Sequence, residues 1–184
     1  QEFHSPAFTK SGGPFEMVQL WVNLPKKDKS VAPGYQTLLA KDFPVAQLPD
    51  EAGTVRVIAG DYAGNKGPAR TFTPVDIWDV RLKGGKSASL TLPEGHTVAI
   101  AVLSGTVEVN GTQIAREAQT VIFDTTGGEI SLEANNDAKL LVVSGEPINE
   151  PVAAYGPFVM NTMGEIRQAM LDFEAGKFGA IAAQ

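Results

Sequence analysis

Cysteine is absent from this 184-residue sequence. Its absence excludes disulfides, zinc–thiolate sites, iron–sulfur clusters and cysteine nucleophiles together. Histidine is scarce, limited to His4 and His96, so any imidazole chemistry built from this chain must use one of them. No apolar run approaches the roughly 20 residues that a membrane helix needs. Basic residues are in the minority, with 15 Lys and Arg against 21 Asp and Glu and a formal net charge of −6. An acidic chain without a basic cluster is unsuited to direct contact with nucleic acid, which requires clustered Lys and Arg. What remains is an ordinary globular composition, 43% hydrophobic and 20% charged, enough for one core or one domain plus a remnant. The chain begins at Gln1 rather than Met, with no feature of an expression tag, and the expectation drawn from this is a piece of a longer protein.

Hydrophobic alternation dominates the rest. Residues 17–24 alternate strictly, with Val18, Leu20, Val22 and Leu24 on one face and Met17, Gln19, Trp21 and Asn23 on the other. Period two with β-branched residues and a Trp predicts a strand, ended by Pro25 and a Lys-rich turn. Residues 27–53 carry Pro33-Gly34, Phe43-Pro44 and Pro49-Asp50 and read as a linker with at most short pairings. From Val55 onward come closely spaced strands, predicted at 75–82, 87–92, 97–103, 106–110, 120–124, 129–133 and 139–144. Asn110-Gly111 between extended segments is a hairpin signal, because both central residues of a type I′ turn need positive φ. Many short strands joined by tight turns mean an antiparallel sandwich or barrel. One helix is predicted, over 162–175. Thr162 and Glu165 form a capping-box pair, Ile166, Ala169, Met170 and Phe173 form one apolar stripe, and Gly176 is a stop.

Three segments together resemble the pirin family: Glu16-Met-Val-Gln-Leu-Trp-Val-Asn-Leu-Pro25, Gly64 to Leu82 with its Asp-Ile-Trp-Asp-Val-Arg-Leu end, and Gly156-Pro-Phe-Val-Met-Asn-Thr-Met-Gly-Glu-Ile166. The resemblance covers the latter part of such a protein and implies an all-β fold, a cupin (jelly-roll β-barrel). Residues 1–26 would be the remnant of a preceding cupin, 54–146 the C-terminal metal-free cupin, and 147–184 a tail holding the helix. It also implies one iron in the first cupin. The intact protein would be a quercetin 2,3-dioxygenase-like enzyme acting on flavonols, or alternatively a non-enzymatic redox-sensing or regulatory partner.

The cupin metal pattern can be laid on the residues. Its first motif, H-x-H-x(3,4)-E-x(6)-G, places the final Gly on Gly105, the Glu on Val98, and the two His on Leu92 and Glu94 or on Thr91 and Pro93. His96 is out of register, and no His follows it. A transition-metal site needs several imidazole or carboxylate ligands, and this register supplies at most Glu94. No metal is therefore expected in residues 54–146. In the preceding cupin, the resemblance makes Glu2 the carboxylate of a three-His, one-carboxylate iron site, its His partners lying upstream. In the isolated chain Glu2 reads as a solvated terminal residue. His4 falls outside the family's ligand position and reads as a rim residue, and His96 as a turn histidine. Gln19 and Trp21 are candidates to line a substrate pocket, with core packing the alternative for Trp21.

Two local patterns carry no function. Gly84-Gly85-Lys86-Ser87 lacks the earlier glycine of a P-loop, because position 80 is Val, and a strand follows where a helix should start. Asn110-Gly111-Thr112 has the form of a glycosylation site, but its hairpin role explains it. A Ser-His-Asp triad would need His4 or His96, neither in a nucleophile-elbow setting. The expected partners are a small aromatic substrate or a protein, with no direct nucleic acid and no membrane. The expected location is cytoplasmic, or nuclear in a eukaryote. The chain alone is expected to be inactive and to hold no cofactor. An unpaired 17–24 strand would be a self-association site.

Overall fold

The computed structural model describes residues 5–179, which divide into two compact units, residues 31–149 and residues 5–30 with 150–179. The larger unit is built from β1 (Val45–Gln47), β2 (Gly53–Ala59), β3 (Asp61–Tyr62), β4 (Asn65–Lys66), β5 (Val75–Leu82), β6 (Ser87–Thr91), β7 (Thr97–Ser104), β8 (Thr106–Val109), β9 (Gln113–Arg116), β10 (Thr120–Ile122), β11 (Glu129–Ala134) and β12 (Ala138–Gly145). The six-stranded sheet runs β1-β2-β5-β12-β7-β10 and the four-stranded sheet β6-β11-β8-β9. All pairings within them are antiparallel. The cupin jelly roll is thus two facing sheets and not a closed barrel. Alternation explains why these segments pair as they do. Val55 and Val57 on β2, Trp78, Val80 and Leu82 on β5, and Leu140 and Val142 on β12 all point into one core. A slip of one residue would turn every one of them outward.

Two turns show local chemistry deciding geometry. Asn110 and Gly111 both take positive φ, 51° and 62°, and Thr112 N–H donates to the Val109 carbonyl at 3.2 Å, as the hairpin signal requires. Gly105 joins β7 to β8 at φ 87°. A Cβ there would lie 2.5 Å from the Asp137 carbonyl oxygen, so only glycine allows the two sheets to meet at that corner.

The smaller unit contains α1 (Pro6–Ser11), the hairpin β13 (Ala153–Tyr155) and β14 (Phe158–Met160), and α2 (Met163–Glu174). The predicted C-terminal helix is present, with Thr162 as its N-cap. Half of the capping box forms as expected, Glu165 N–H donating to Thr162 Oγ1 at 3.2 Å. The other half shifts by one residue. Glu165 Oε2 accepts from Asn161 N–H, and not from Thr162 N–H, at 3.1 Å. Lys26 Nζ lies 3.3 Å from Glu165 Oε1, so this carboxylate also ties the residue 26 turn to the helix.

The strand predicted over 17–24 does not form, which corrects that expectation. No strand among the described residues pairs with it. Residues on both of its faces are exposed, Trp21 by 66% and Leu20 by 45%. The alternating pattern is present, but the ladder that makes a strand requires a neighbour to hydrogen-bond with. The helix α1 was not expected. Its signal is Ser5-Pro6, an N-cap followed by Pro at the first helical position, with Ser5 Oγ accepting from Phe8 N–H at 3.2 Å.

Candidate functional site at the open end of the sandwich

Along the inward face of β5 the residues read Asp76, Trp78, Val80, Leu82. Strand β12 answers them with Ser144, Val142, Leu140 and Ala138. Both rows are apolar except at one end, where Asp76 and Ser144 stand opposite each other. On the far side of β12, Val98 faces Ser144. The inner surface of the sheet therefore turns polar at a single edge of the sandwich.

His96 sits at that edge. It closes the turn Pro93-Glu94-Gly95-His96, its N–H donating to the Pro93 carbonyl at 3.3 Å. Its Nδ1 lies within hydrogen-bonding distance, 3.0 Å, of Ser144 Oγ. Asp76 Oδ1 accepts from Asp61 N–H at 3.1 Å. Gly60 makes this contact possible, since at φ 76° a Cβ would lie 2.0 Å from Asp76 Oδ1. Ser144 is only 2% exposed and Asp76 only 9%.

Burial pushes the Asp76 carboxyl above the usual aspartate range. The Asp61 N–H and the nearby His96 draw it back in part. A carboxyl whose folded pKa is raised adds stability below its unfolded pKa, and that stability is lost as pH rises through the folded value. Asp76→Asn keeps an acceptor for Asp61 N–H and removes the buried charge. It is expected to flatten the loss of stability between about pH 4 and pH 7, from the unperturbed value of about 3.9 upward. The variant should be at least as stable as the parent at pH 7, as read from urea midpoints at both pH values.

Ser144, His96 and Asp76 are the residue types of a nucleophilic triad, brought together from distant parts of the chain. The geometry is not that of a triad. Ser144 is sealed from substrate, and His96 and Asp76 form no ion pair among the described residues. The three instead form a polar seam at the rim of an apolar core.

Two cavities meet at His96. One, about 330 Å³, opens between the two sheets over Leu92, Val98, Val109, Val121 and Ile130. The other, about 490 Å³, lies against Gly60, Asp61, Lys66 and Asp76. Leu92 and Val98, which occupy metal-motif positions, are buried in the core, and Glu94 is exposed in its turn. Among the described residues no three His, Asp or Glu side chains converge on a point that could hold a metal ion. The metal-motif positions of this cupin supply no set of iron ligands.

The other residues singled out from the sequence are dispersed. Glu2 and His4 lie outside the described residues. Trp21 lines a cavity of about 330 Å³ with Leu24, Lys29, Val159 and Met160, and Gln19 does not reach it. Lys29 Nζ donates to Asn23 Oδ1 at 2.6 Å beside it. The seam of Asp76 and Ser144 was not singled out, although it left a trace. Asp76 falls on the inward-facing row of β5, which is otherwise apolar (Trp78, Val80, Leu82), and a polar residue in such a row signals a specific partner.

The comparisons with known proteins bear on this architecture. Residues 77–179 match the family model described as the pirin C-terminal cupin domain, more than half of the chain. The chain belongs to the pirin family. Mouse pirin is 39% identical over 173 residues, which is 90% of this chain and 58% of that protein. A protein of Pseudomonas aeruginosa is 55% identical over 178 residues, 97% of this chain and 62% of its own length. A crystal structure of quercetin 2,3-dioxygenase from Acinetobacter baumannii superposes with a TM-score of 0.94 at 49% identity, covering 98% of this chain and 62% of that one. The chain thus spans about three-fifths of the length of the pirins it matches, a part that includes their C-terminal cupin. No helix among the described residues is long and apolar enough to cross a membrane.

Proposed function

We propose that this chain is part of an iron-dependent dioxygenase acting on flavonols such as quercetin, with the metal held in a preceding cupin to which Glu2 contributes a carboxylate. The cupin of residues 54–146 supplies no ligand and braces the catalytic one. The observation that carries this division is the burial of Leu92 and Val98 at metal-motif positions; a side chain without a donor atom cannot coordinate iron. The choice of substrate rests on the 49% identity to the Acinetobacter quercetin 2,3-dioxygenase. The experiment is metal analysis of the full-length protein, followed by oxygen uptake with quercetin. One iron per chain with quercetin-dependent uptake is the expected result. Iron without turnover favours the regulatory reading, and full-length protein that binds no iron ends the dioxygenase reading. The 184-residue chain alone is expected to show no turnover.

We also propose that the isolated chain self-associates through residues 17–24, whose apolar side chains are exposed and whose backbone pairs with no strand among the described residues. Sedimentation of the chain should show mass rising with concentration, and the double change Leu20→Lys with Val22→Lys should hold it at monomer mass. A parent chain that stays monomeric at every concentration would defeat this idea.

A further inference from the structure

The cavity between the sheets is a second, independent place to look for a ligand. Its floor is Leu92, Val98, Val121 and Ile130, all buried. Its two walls belong to different sheets, since Val98 and Val121 come from β7 and β10 and Val109 and Ile130 from β8 and β11. Facing sheets stand about 10 Å apart, so the opening is a slot that admits a flat apolar body. Its volume, about 330 Å³, lies at the small end of the range of ligand pockets, roughly 300–1,000 Å³.

The polar groups at the rim select the ligand's chemistry. His96 borders the slot with Nδ1 engaged by Ser144 Oγ. Asp76 interacts with the ring electrostatically, but no described residue hydrogen-bonds Nε2, which leaves that nitrogen open to a ligand hydroxyl. Asp124 and Glu129 line the rim, and no Lys or Arg does. A ligand anion would therefore meet two carboxylates and no counter-charge, which costs binding in a partly desolvated site. A hydroxyl on a neutral ring would instead find an imidazole nitrogen as its partner.

We infer that the slot of the C-terminal cupin binds a small, flat, uncharged aromatic alcohol, with its ring between the sheets and its hydroxyl on His96 Nε2. This site is separate from the proposed iron centre and does not depend on the dioxygenase reading, so either can fail without the other.

The probes are naphthol and its anionic counterpart naphthoate, titrated into isotope-labelled full-length protein at pH 8. Naphthol should produce saturable amide shifts clustered at residues 96, 112–113 and 122–130, and naphthoate should bind at least about tenfold more weakly. His96→Phe should weaken naphthol about tenfold, the equivalent of one hydrogen bond, and leave naphthoate unchanged. The double change Asp124→Asn with Glu129→Gln should bring naphthoate close to naphthol. Ile130→Trp should fill the slot and abolish the shifts; if that variant does not fold, Thr112→Trp at the exposed rim serves instead. Equal binding of the two probes, shifts centred elsewhere, no saturable shifts at millimolar naphthol, or full binding by the filled variant would each overturn the inference.

Discussion

Full-length protein carrying Glu2→Ala is expected to lose at least about tenfold in iron occupancy and all measurable quercetin-dependent oxygen uptake, whereas Glu94→Gln should leave both unchanged. Removing even a residue that only supports a metal ligand costs about 10–100-fold in affinity, so removing a ligand itself should cost no less. The two carboxylates separate the two cupins cleanly. In the proposed reading Glu2 belongs to the set of converging ligands that an iron site requires. Glu94 is the single ligand type that the metal register places in the C-terminal cupin, and it stands exposed in a turn. Its neighbours in that register are buried apolar residues, Leu92 and Val98. Metal analysis and oxygen uptake on the same preparations decide the matter. Loss of iron in Glu94→Gln would mean that the C-terminal cupin holds the metal and that the register drawn on Gly105 is wrong.

What could be read in advance depended on whether the cause of a structure was local. Strands β5 to β8 and β10 to β12 lie within a residue or two of their predicted bounds. There the alternation is uninterrupted, and each turn carries a residue that the backbone needs, Asn110 and Gly111 among them. The segment 17–24 has an equally clean pattern and forms no strand, because pairing depends on a neighbour and not on the pattern itself. The hairpin of β13 and β14 escaped notice for the opposite reason. Its arms are three residues each, too short for alternation to stand out, and the signal was confined to Gly156-Pro157 with Gly156 at φ 54°.

The candidate site was legible only in part, for a related reason. His96 could be assigned to a turn from Pro93-Glu94-Gly95. Its partner Ser144 is 48 residues away and becomes a neighbour only through the order β5-β12-β7. Strand order across a jelly roll is set by long-range pairing, which no local window contains. The same order puts Asp76 and Ser144 at one edge, where an apolar core ends in polar groups. The register absence of metal ligands, in contrast, needed only residue identities and the position of Gly105.

Trp78→Ala is expected to destabilise the protein by about 3–5 kcal/mol, the range for emptying a large aromatic site in a core. Against a typical total of about 5–15 kcal/mol that is a large share, and the urea midpoint should fall accordingly. Trp78 is 1% exposed, and its inward neighbour across the β5–β12 pair is Val142. Its ring meets that of Tyr62 edge-on, with centroids 5.1 Å apart, and burial raises the Tyr62 hydroxyl pKa. Truncation at 78 would therefore also leave Tyr62 without its aromatic neighbour. Trp78→Phe isolates one contribution. The indole N–H is buried and has no acceptor among the described residues, so its removal relieves a desolvation cost of about 1–3 kcal/mol. The smaller ring gives up packing in return. Trp78→Phe should consequently cost no more than about 2 kcal/mol, well short of the alanine change. Equal losses for the two variants would show that the indole N–H is satisfied in solution and that the site does not tolerate a smaller ring.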